Sequence, residues 1–200
     1  MCFTLRHRYL LRMYECRENR CLDMSGLALD TMPLDGVSLT AVTKLSIANN
    51  SLKSLPWEVS SMASLTELWL QDNFLTVLPT SIANLTFLRG LQLDRNRLRN
   101  LPVAIGSLAR LELLYASSNG LENVPDSIGE LTAMTELELQ DNRIEFLPMD
   151  IGRMTRLKLL NITSNPLVAP PMEIAMGGSA AIIRYLNMFV KARSTYVSHP

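Results

Sequence analysis

This chain has few histidines, few cysteines and no net charge. Each of these features argues against a class of function. The sequence has two histidines, His7 and His199, near its two ends, so no histidine-based catalytic or metal site is expected. Its nineteen basic residues cancel its nineteen acidic residues. Because nucleic-acid binding needs a basic surface, we expect no nucleic-acid partner. We likewise predict no bound metal and no cofactor.

Motifs of catalysis are also missing. The sequence contains no glycine-rich phosphate loop and no nucleophile elbow. Glu136 and Glu138 could be compared with the carboxylate pair of a glycosidase, but paired acids on an open, solvated strand are usually ordinary surface. The sequence therefore predicts no catalytic residues and no enzyme activity.

No apolar run near the N-terminus is long enough for a signal peptide or a membrane span. Five arginines interrupt the first twenty residues. We therefore expect a cytoplasmic protein without membrane contact. Asn-x-Ser/Thr triplets occur at Asn49, Asn84 and Asn161, and without a secretion signal we expect them to carry no glycan.

A period of 23 residues runs through the chain without insertion or deletion. Its first leucine recurs at Leu22, Leu45, Leu68, Leu91, Leu114, Leu137 and Leu160. An asparagine stands at the same offset in six copies, at Asn50, Asn73, Asn96, Asn119, Asn142 and Asn165. A proline follows in every copy, at Pro33, Pro56, Pro79, Pro102, Pro125, Pro148 and Pro171. A fixed period of this length with these three residue types is typical of a leucine-rich repeat solenoid.

Each repeated position has a physical role. Leu68 and Leu70 alternate with polar residues, which predicts a short strand with one buried face. Stacked copies would pair as a parallel sheet on the concave side of an open, right-handed horseshoe, an α/β architecture. The asparagine is predicted to hydrogen-bond backbone groups of the next coil at each corner. The leucines that follow would build a continuous core, with one helical or 3₁₀ turn on the convex return.

The two ends of the chain differ from the repeats, and solenoids need such caps. We predict an N-terminal helical cap over 1–20, seven coils over 21–178, a capping helix over 179–193 and a disordered tail over 194–200. Ser179 is predicted to be the N-cap of the last helix. The apolar stripes are predicted to be Leu5, Tyr9, Leu10, Met13 and Cys16 in the first helix, and Ile182, Ile183, Leu186, Phe189 and Val190 in the last.

The outward positions of the predicted sheet supply the candidate binding surface. One column brings Trp69, Gln92 and Tyr115 together at the centre of the arc, and aromatic anchors on a polar floor are typical of protein-binding hot spots. The full set of predicted partner-binding residues is Trp69, Gln71, Asp72, Gln92, Asp94, Tyr115 and Glu138. The alternative is the convex or edge surface, which carries Arg97, Arg99 and Arg143.

Charge is segregated although the total is zero. Residues 61–150 carry twelve acids against six arginines, whereas residues 1–20 and 151–200 are basic. An acidic centre would steer a partner with a basic contact surface toward the middle of the arc.

The skeleton LxxLxxLxLxxNxLxxLPxxIxxL over Leu131–Leu157 and the ending NPLVAPPMEIAMGGSAAIIRYL resemble the 23-residue subclass of intracellular leucine-rich repeat proteins. That subclass includes Ras-pathway scaffolds, plant intracellular Ras-group-related proteins and scribble-type polarity proteins. The resemblance implies a monomeric, non-catalytic scaffold or adaptor in intracellular signalling, whose partner is a protein such as a small GTPase.

Two alternatives stay open. The Arg-rich N-terminal helix could attach an adaptor to a membrane surface. The chain could also be an extracellular recognition ectodomain, but extracellular repeats usually carry cysteine-pinned caps at both ends. Here the three cysteines, Cys2, Cys16 and Cys21, all lie before the first regular repeat.

Overall fold

The computed structural model describes residues 5–32 and 39–197, and within them seven parallel strands form one open sheet in sequence order. The strands are β1 (Cys21–Asp23), β2 (Lys44–Ser46), β3 (Glu67–Trp69), β4 (Gly90–Gln92), β5 (Leu113–Tyr115), β6 (Glu136–Glu138) and β7 (Leu159–Asn161). The central leucine of each strand pairs with the central leucine of the next, for example Leu68 with Leu91. This register confirms the predicted solenoid. Pro33, the first predicted proline, lies outside the described residues.

The sheet ends at a left-handed corner in every coil. At this corner the second to seventh coils carry non-glycine residues with φ between 52° and 57°, namely Asn49, Asp72, Arg95, Ser118, Asp141 and Ser164. The prediction that Asp72 belongs to an outward column of the sheet is therefore wrong in detail. The strand has ended before it, and Asp72 lies at the bend beside the floor. The backbone must change direction here, because a straight strand could not connect to the convex segment of the same coil.

The repeated asparagines bind the preceding coil, not the next coil as predicted. Asn96 donates through Nδ2 to the carbonyls of Leu70 and Leu93, both at 3.0 Å, and its Oδ1 accepts from the amide of Leu75 at 3.0 Å. Leu70 and Leu75 both belong to the preceding coil. The same bonds recur at the other ladder positions, Asn50, Asn73, Asn119, Asn142 and Asn165. Each corner is thus hydrogen-bonded to the backbone of the preceding coil.

Replacing Asn119 tests this ladder. In the native chain Asn119 Oδ1 accepts from the amide of Leu98 at 3.0 Å, and Asn119 Nδ2 donates to the carbonyl of Leu93 at 3.0 Å. Asn119→Ala removes both hydrogen bonds. We expect a loss of about 1–3 kcal/mol in the free energy of unfolding, measured by urea denaturation. Asn84→Ala, at an exposed asparagine, should change it by less than about 0.5 kcal/mol. Equal losses in the two variants would contradict the ladder.

In the described ranges the convex side is built from five short 3₁₀ helices, as the sequence predicted. They span Trp57–Ser61, Thr80–Asn84, Val103–Ser107, Asp126–Glu130 and Met149–Arg153. Each begins after the repeated proline, which holds an extended backbone and has no amide to donate. Each turn buries one aliphatic side chain in the core that lies between this face and the sheet, for example Ile105 and Ile128.

The N-terminal cap is helix α1 (Leu5–Asn19). Cys16 is buried against the core and Met13 is partly buried, as predicted. The prediction for Leu10 is wrong, since its side chain is 56% exposed. A terminal helix has the solenoid on one side only, so part of its apolar surface has no neighbour among the described residues. The side chains of Leu5 and Tyr9 lie outside the described residues.

The C-terminal cap comprises α2 (Met172–Ala175) and α3 (Gly178–Val197). Ser179 lies inside α3 and is not the predicted N-cap. Its hydroxyl accepts from the amide of Leu160 at 3.0 Å and donates to the carbonyl of Leu160 at 3.1 Å. These bonds satisfy the outer edge of β7, which pairs with no further strand in the part of the chain that the structure describes.

Helix α3 also runs further than predicted. It continues to Val197, beyond the expected end at 193, and only 198–200 of the predicted tail lie outside the described residues. Ile182 and Leu186 are buried and Ile183 is partly buried, but Phe189 is 43% exposed. Its ring instead packs on Tyr185, with 4.9 Å between centroids. No helix in the described ranges is long and apolar enough to cross a membrane.

Candidate protein-binding surface

The centre of the concave sheet brings the predicted aromatic column together. Trp69 on β3 is paired in register with Gln92 on β4, and Gln92 is paired with Tyr115 on β5. Trp69 is 45% exposed, while Gln92 and Tyr115 are half-buried. Glu138 follows Tyr115 on the next strand. The last residue of each strand supplies this column because the central leucine points into the core and its neighbours point outward.

The acids beside this column are held in different ways. The carboxylate of Asp94 accepts the amide of Ser117 at 2.6 Å, so it is fixed to the adjoining coil. Asp72 receives two hydrogen bonds from Arg95, one of them 2.8 Å long. This contact is the main cause that lowers the pKa of the Asp72 carboxyl. The charge of Asp72 is therefore already paired with that of Arg95.

A second outward column precedes the central leucines, and sequence reasoning largely missed it. The sequence places Glu136 of this column on the solvated face of a strand, but no repeat feature points to the glycine two strands before it. In register the column passes from Glu67 through Gly90 and Leu113 to Glu136. The period-2 alternation could have identified it, since these residues lie two positions before the aromatic column.

Gly90 leaves a gap in this column, which we call the Gly90 hollow. It has a volume of about 540 Å³ and is bordered by Glu67, Trp69, Gln92, Glu112, Leu113 and Tyr115. A second hollow of about 410 Å³ lies on the other side of Trp69, next to Cys21 and Lys44. The indole of Trp69 therefore stands between two depressions on the concave face.

The carboxylates at the rim of the Gly90 hollow are already paired with cations. Lys44 contacts Glu67 at 2.7 Å, and Arg89 contacts Glu112 at 2.6 Å. Tyr115 faces a different environment, because its hydroxyl donates to Glu136 Oε2 at 2.6 Å and Glu138 and Asp94 lie near it. Burial, then the hydrogen bond to Glu136, then the neighbouring negative charges raise the pKa of Tyr115 to about 12.

This shift predicts how Tyr115 titrates. The absorbance component that disappears in Tyr115→Phe should have its midpoint near 12, and Glu136→Gln should lower that midpoint by removing the carboxylate acceptor. Because the folded-state pKa lies above the ordinary value of 10.0, the stability linked to this group is present below pH 10.0 and is lost as pH rises toward 12. A Tyr115 component that titrates at the ordinary value in the unmodified chain would contradict this geometry.

Three glutamines on the concave side have unsatisfied acceptors. The Oε1 atoms of Gln71, Gln92 and Gln140 are shielded from solvent, and none has a hydrogen-bond donor within residues 5–32 and 39–197. Gln71 and Gln92 both border the Gly90 hollow. A shielded acceptor without a donor is unfavourable, so a ligand that supplies donors would gain binding energy here.

The competing arginine surface is partly occupied by its own contacts. The guanidinium of Arg97 stacks over the ring of Phe74 at 4.3 Å, and Arg110 stacks over Phe87 at the same distance. Arg99 and Arg143 are exposed. Arg97 is therefore less available to a partner than the sequence indicated.

The described ranges contain no group of three or more His, Cys, Asp or Glu side chains that could hold a metal ion. The two acids considered for catalysis are engaged by neighbours, since Glu136 accepts from Tyr115 and Glu138 accepts from Gln140 Nε2 at 2.9 Å. What this surface offers is aromatic area, carboxylates and two depressions.

A family model described as "Leucine-rich repeat region" matches residues 67–180, more than half of the chain. The chain belongs to the leucine-rich repeat family. Proteins with leucine-rich repeats generally mediate protein–protein interaction, and the family and fold are typically non-catalytic. A comparison with curated proteins gave no match.

Solved leucine-rich repeat structures are similar to this chain over most of its length. A leucine-rich repeat protein of Leptospira interrogans is 25% identical with a TM-score of 0.59, and the match covers 78% of this chain and 52% of that protein. Internalin C2 of Listeria monocytogenes is 26% identical with a TM-score of 0.62, covering 70% and 60%. The crystal structure of PEPR1-AtPEP1 is 26% identical with a TM-score of 0.58, covering 62% and 18%. This chain therefore spans about half of the Leptospira protein and a smaller part of the PEPR1 chain.

Proposed function

We propose that this chain is a non-catalytic scaffold or adaptor that binds a protein partner on its concave sheet. The observation that carries the proposal is Trp69, a large aromatic side chain that is 45% exposed on the sheet between two hollows. Tyr115 and Gln92 lie beside it in register. Exposed aromatic residues at the centre of a concave, polar surface are typical anchors of protein interfaces.

We also propose that the adaptor acts in intracellular signalling in the cytoplasm and that its partner is a small GTPase or another signalling protein. This finer proposal is supported by the resemblance to the 23-residue intracellular subclass. Purified small GTPases in their GDP and GTP-analogue states provide a direct binding panel. Failure of every GTPase to bind, together with capture of a different protein, would remove this partner class and leave the concave-face proposal standing.

The test of the concave face is a quantitative pull-down with matched double variants. Trp69→Ala with Tyr115→Ala should abolish capture of the main partner, because loss of a central anchor typically costs about 2 kcal/mol or more of binding free energy. The control is Phe74→Ala with Phe87→Ala, which removes two exposed rings from outside the sheet. Circular dichroism should show both double variants folded, since none of the four rings is buried in the core.

Loss of capture in the control alone would contradict the proposal. It would assign the partner to the face that carries Arg97, Arg99 and Arg143.

A second candidate function rests on α1. Leu10, Leu11 and Tyr14 are all more than half exposed on this helix, and an apolar patch next to arginines suits a membrane-surface anchor. Flotation with vesicles of phosphatidylcholine and phosphatidylserine tests it. A membrane-attached adaptor should float, and Leu10→Ser with Leu11→Ser should release it, whereas a chain that stays in the bottom fraction excludes this function.

A further inference from the structure

We propose that the Gly90 hollow binds an arginine side chain from an extended basic segment of the protein partner, an inference that rests on the proposed function and specifies its ligand chemistry. Gly90, Trp69 and Tyr115 define the place, and three acids that form no ion pair within the described residues, Asp94, Glu136 and Glu138, define the charge.

The backbone does not require glycine at position 90. Gly90 does not have the positive φ seen at Gly26 and Gly178. A Cβ at residue 90 would meet only the Cγ of Glu67, at the ordinary contact distance of 3.8 Å. Glycine inside a strand costs stability relative to residues with a side chain. The fold therefore does not require glycine at residue 90. The consequence of having no side chain there is the open space of the hollow.

The walls of the hollow suit a long cationic side chain. Leu113 offers apolar surface for the methylene groups of such a side chain. Trp69 and Tyr115 lie two strands apart, about 10 Å by the usual strand spacing, and present aromatic rings near the opening. Cations bind favourably over aromatic faces, and arginine does so more often than lysine.

The surrounding charge favours a basic partner. Glu67, Glu112 and Asp72 already have cationic partners, and so add little net charge. Asp94, Glu136 and Glu138, by contrast, take part in none of the ion pairs found in the described part of the chain. All three act on Tyr115 at the border of the hollow. A segment with several basic residues would neutralise these carboxylates as it crosses β4, β5 and β6.

The unsatisfied glutamines favour arginine over lysine. Gln71 and Gln92 border the hollow, and each has a shielded amide oxygen without a donor. Arginine carries five N–H donors on a planar group, so one side chain can stack on a ring and still donate to an amide oxygen or a carboxylate. Rotation of the glutamine amides would turn these acceptors toward the guanidinium.

The experiment measures fluorescence anisotropy of labelled nona-arginine, nona-lysine and nona-glutamate peptides with the purified chain. Wild type should bind nona-arginine, bind nona-lysine about five-fold more weakly and not bind nona-glutamate. Gly90→Leu fills the hollow and should weaken nona-arginine binding about ten-fold or more. Its matched control is Gly120→Leu outside the sheet, where a Cβ would meet only the Leu98 oxygen at 3.5 Å, and this variant should bind like wild type.

A second pair of variants separates local from bulk charge. The first double variant is Glu136→Gln with Glu138→Gln, on the sheet. The second is Glu122→Gln with Glu145→Gln, outside the sheet. Both change the net charge by the same amount. The first pair should weaken binding about ten-fold and the second by less than about two-fold.

Several results would overturn the inference. One is equal binding by Gly90→Leu and Gly120→Leu, and another is equal effects of the two charge pairs. Equal affinity for nona-lysine would overturn the assignment to arginine. If nona-arginine fails to bind while partner capture still depends on Trp69 and Tyr115, this inference fails and the proposed function stands. If nona-arginine binds as expected but capture does not depend on those aromatics, the proposed function fails instead.

Discussion

Leu93→Ala should lower the free energy of unfolding by about 2–5 kcal/mol, the range for a large-to-small change in a packed core. Leu93 is fully buried directly after β4. The equivalent position of the next coil is already small, since Ala116 stands there and is also fully buried. With an alanine at the equivalent position, the next coil has no large side chain there that could move into the cavity, which places the loss in the upper part of the range.

The control for this change is the neighbouring residue Gln92. Its side chain lies on the concave surface, and its Oε1 has no donor among the described residues. Gln92→Ala should therefore cost less than about 1 kcal/mol. Urea denaturation followed by circular dichroism measures both variants. Similar losses for Leu93 and Gln92 would mean that the inward and outward assignments are wrong.

Gly129→Val should be the most damaging glycine substitution on the convex side. A Cβ at residue 129 would lie 2.4 Å from the carbonyl oxygen and 2.7 Å from the carbonyl carbon of Asp150, in the 3₁₀ helix of the next coil. Backbone atoms cannot move aside as a flexible side chain can, so the two coils must separate. Overpacking of this kind typically costs about 1–3 kcal/mol, and branching at Cβ places this variant at the top of that range.

The matched control is Gly120→Val, where a Cβ would contact only the Leu98 oxygen at 3.5 Å. Thermal and urea denaturation should show Gly120→Val close to wild type and Gly129→Val strongly destabilised. A neutral Gly129→Val would contradict the close approach of the convex turns.

The repeat itself could be predicted from the sequence because each repeated residue has one role in every coil. Leu68 and Leu91 share a place in the period, and the strands pair them as expected. The position of Trp69 beside Gln92 followed from the same register. A period with no insertion specifies which residues become neighbours in a stack, and this was sufficient for the core and the aromatic column.

The period could not predict contacts that depend on side-chain direction. It does not distinguish the coil before Asn96 from the coil after it, and the structure shows bonds to the earlier one. It also gave no reason to pair Asp72 with Arg95, which lie at the same corner of adjacent coils. The Gly90 hollow was missed because glycine matches no feature of the repeat, and its significance lies in the side chain that is absent.

The caps were the least predictable part, because each has only one neighbouring coil. Leu10 fits an apolar stripe by spacing but is exposed, since no described residue covers it on the outer side of α1. Ser179 resembles an N-cap by residue type, yet its hydroxyl completes the edge of the sheet at Leu160. Helix patterns alone do not show which edge groups a cap has to satisfy.

Site-specific photo-crosslinking tests the central claim most directly, that a protein partner is bound on the concave face. A benzophenone side chain introduced at Gln92 lies between Trp69 and Tyr115, whereas the same group at Arg97 lies outside the sheet. The concave assignment predicts a crosslinked partner from position 92 and none from position 97. A crosslink from position 97 alone would contradict it.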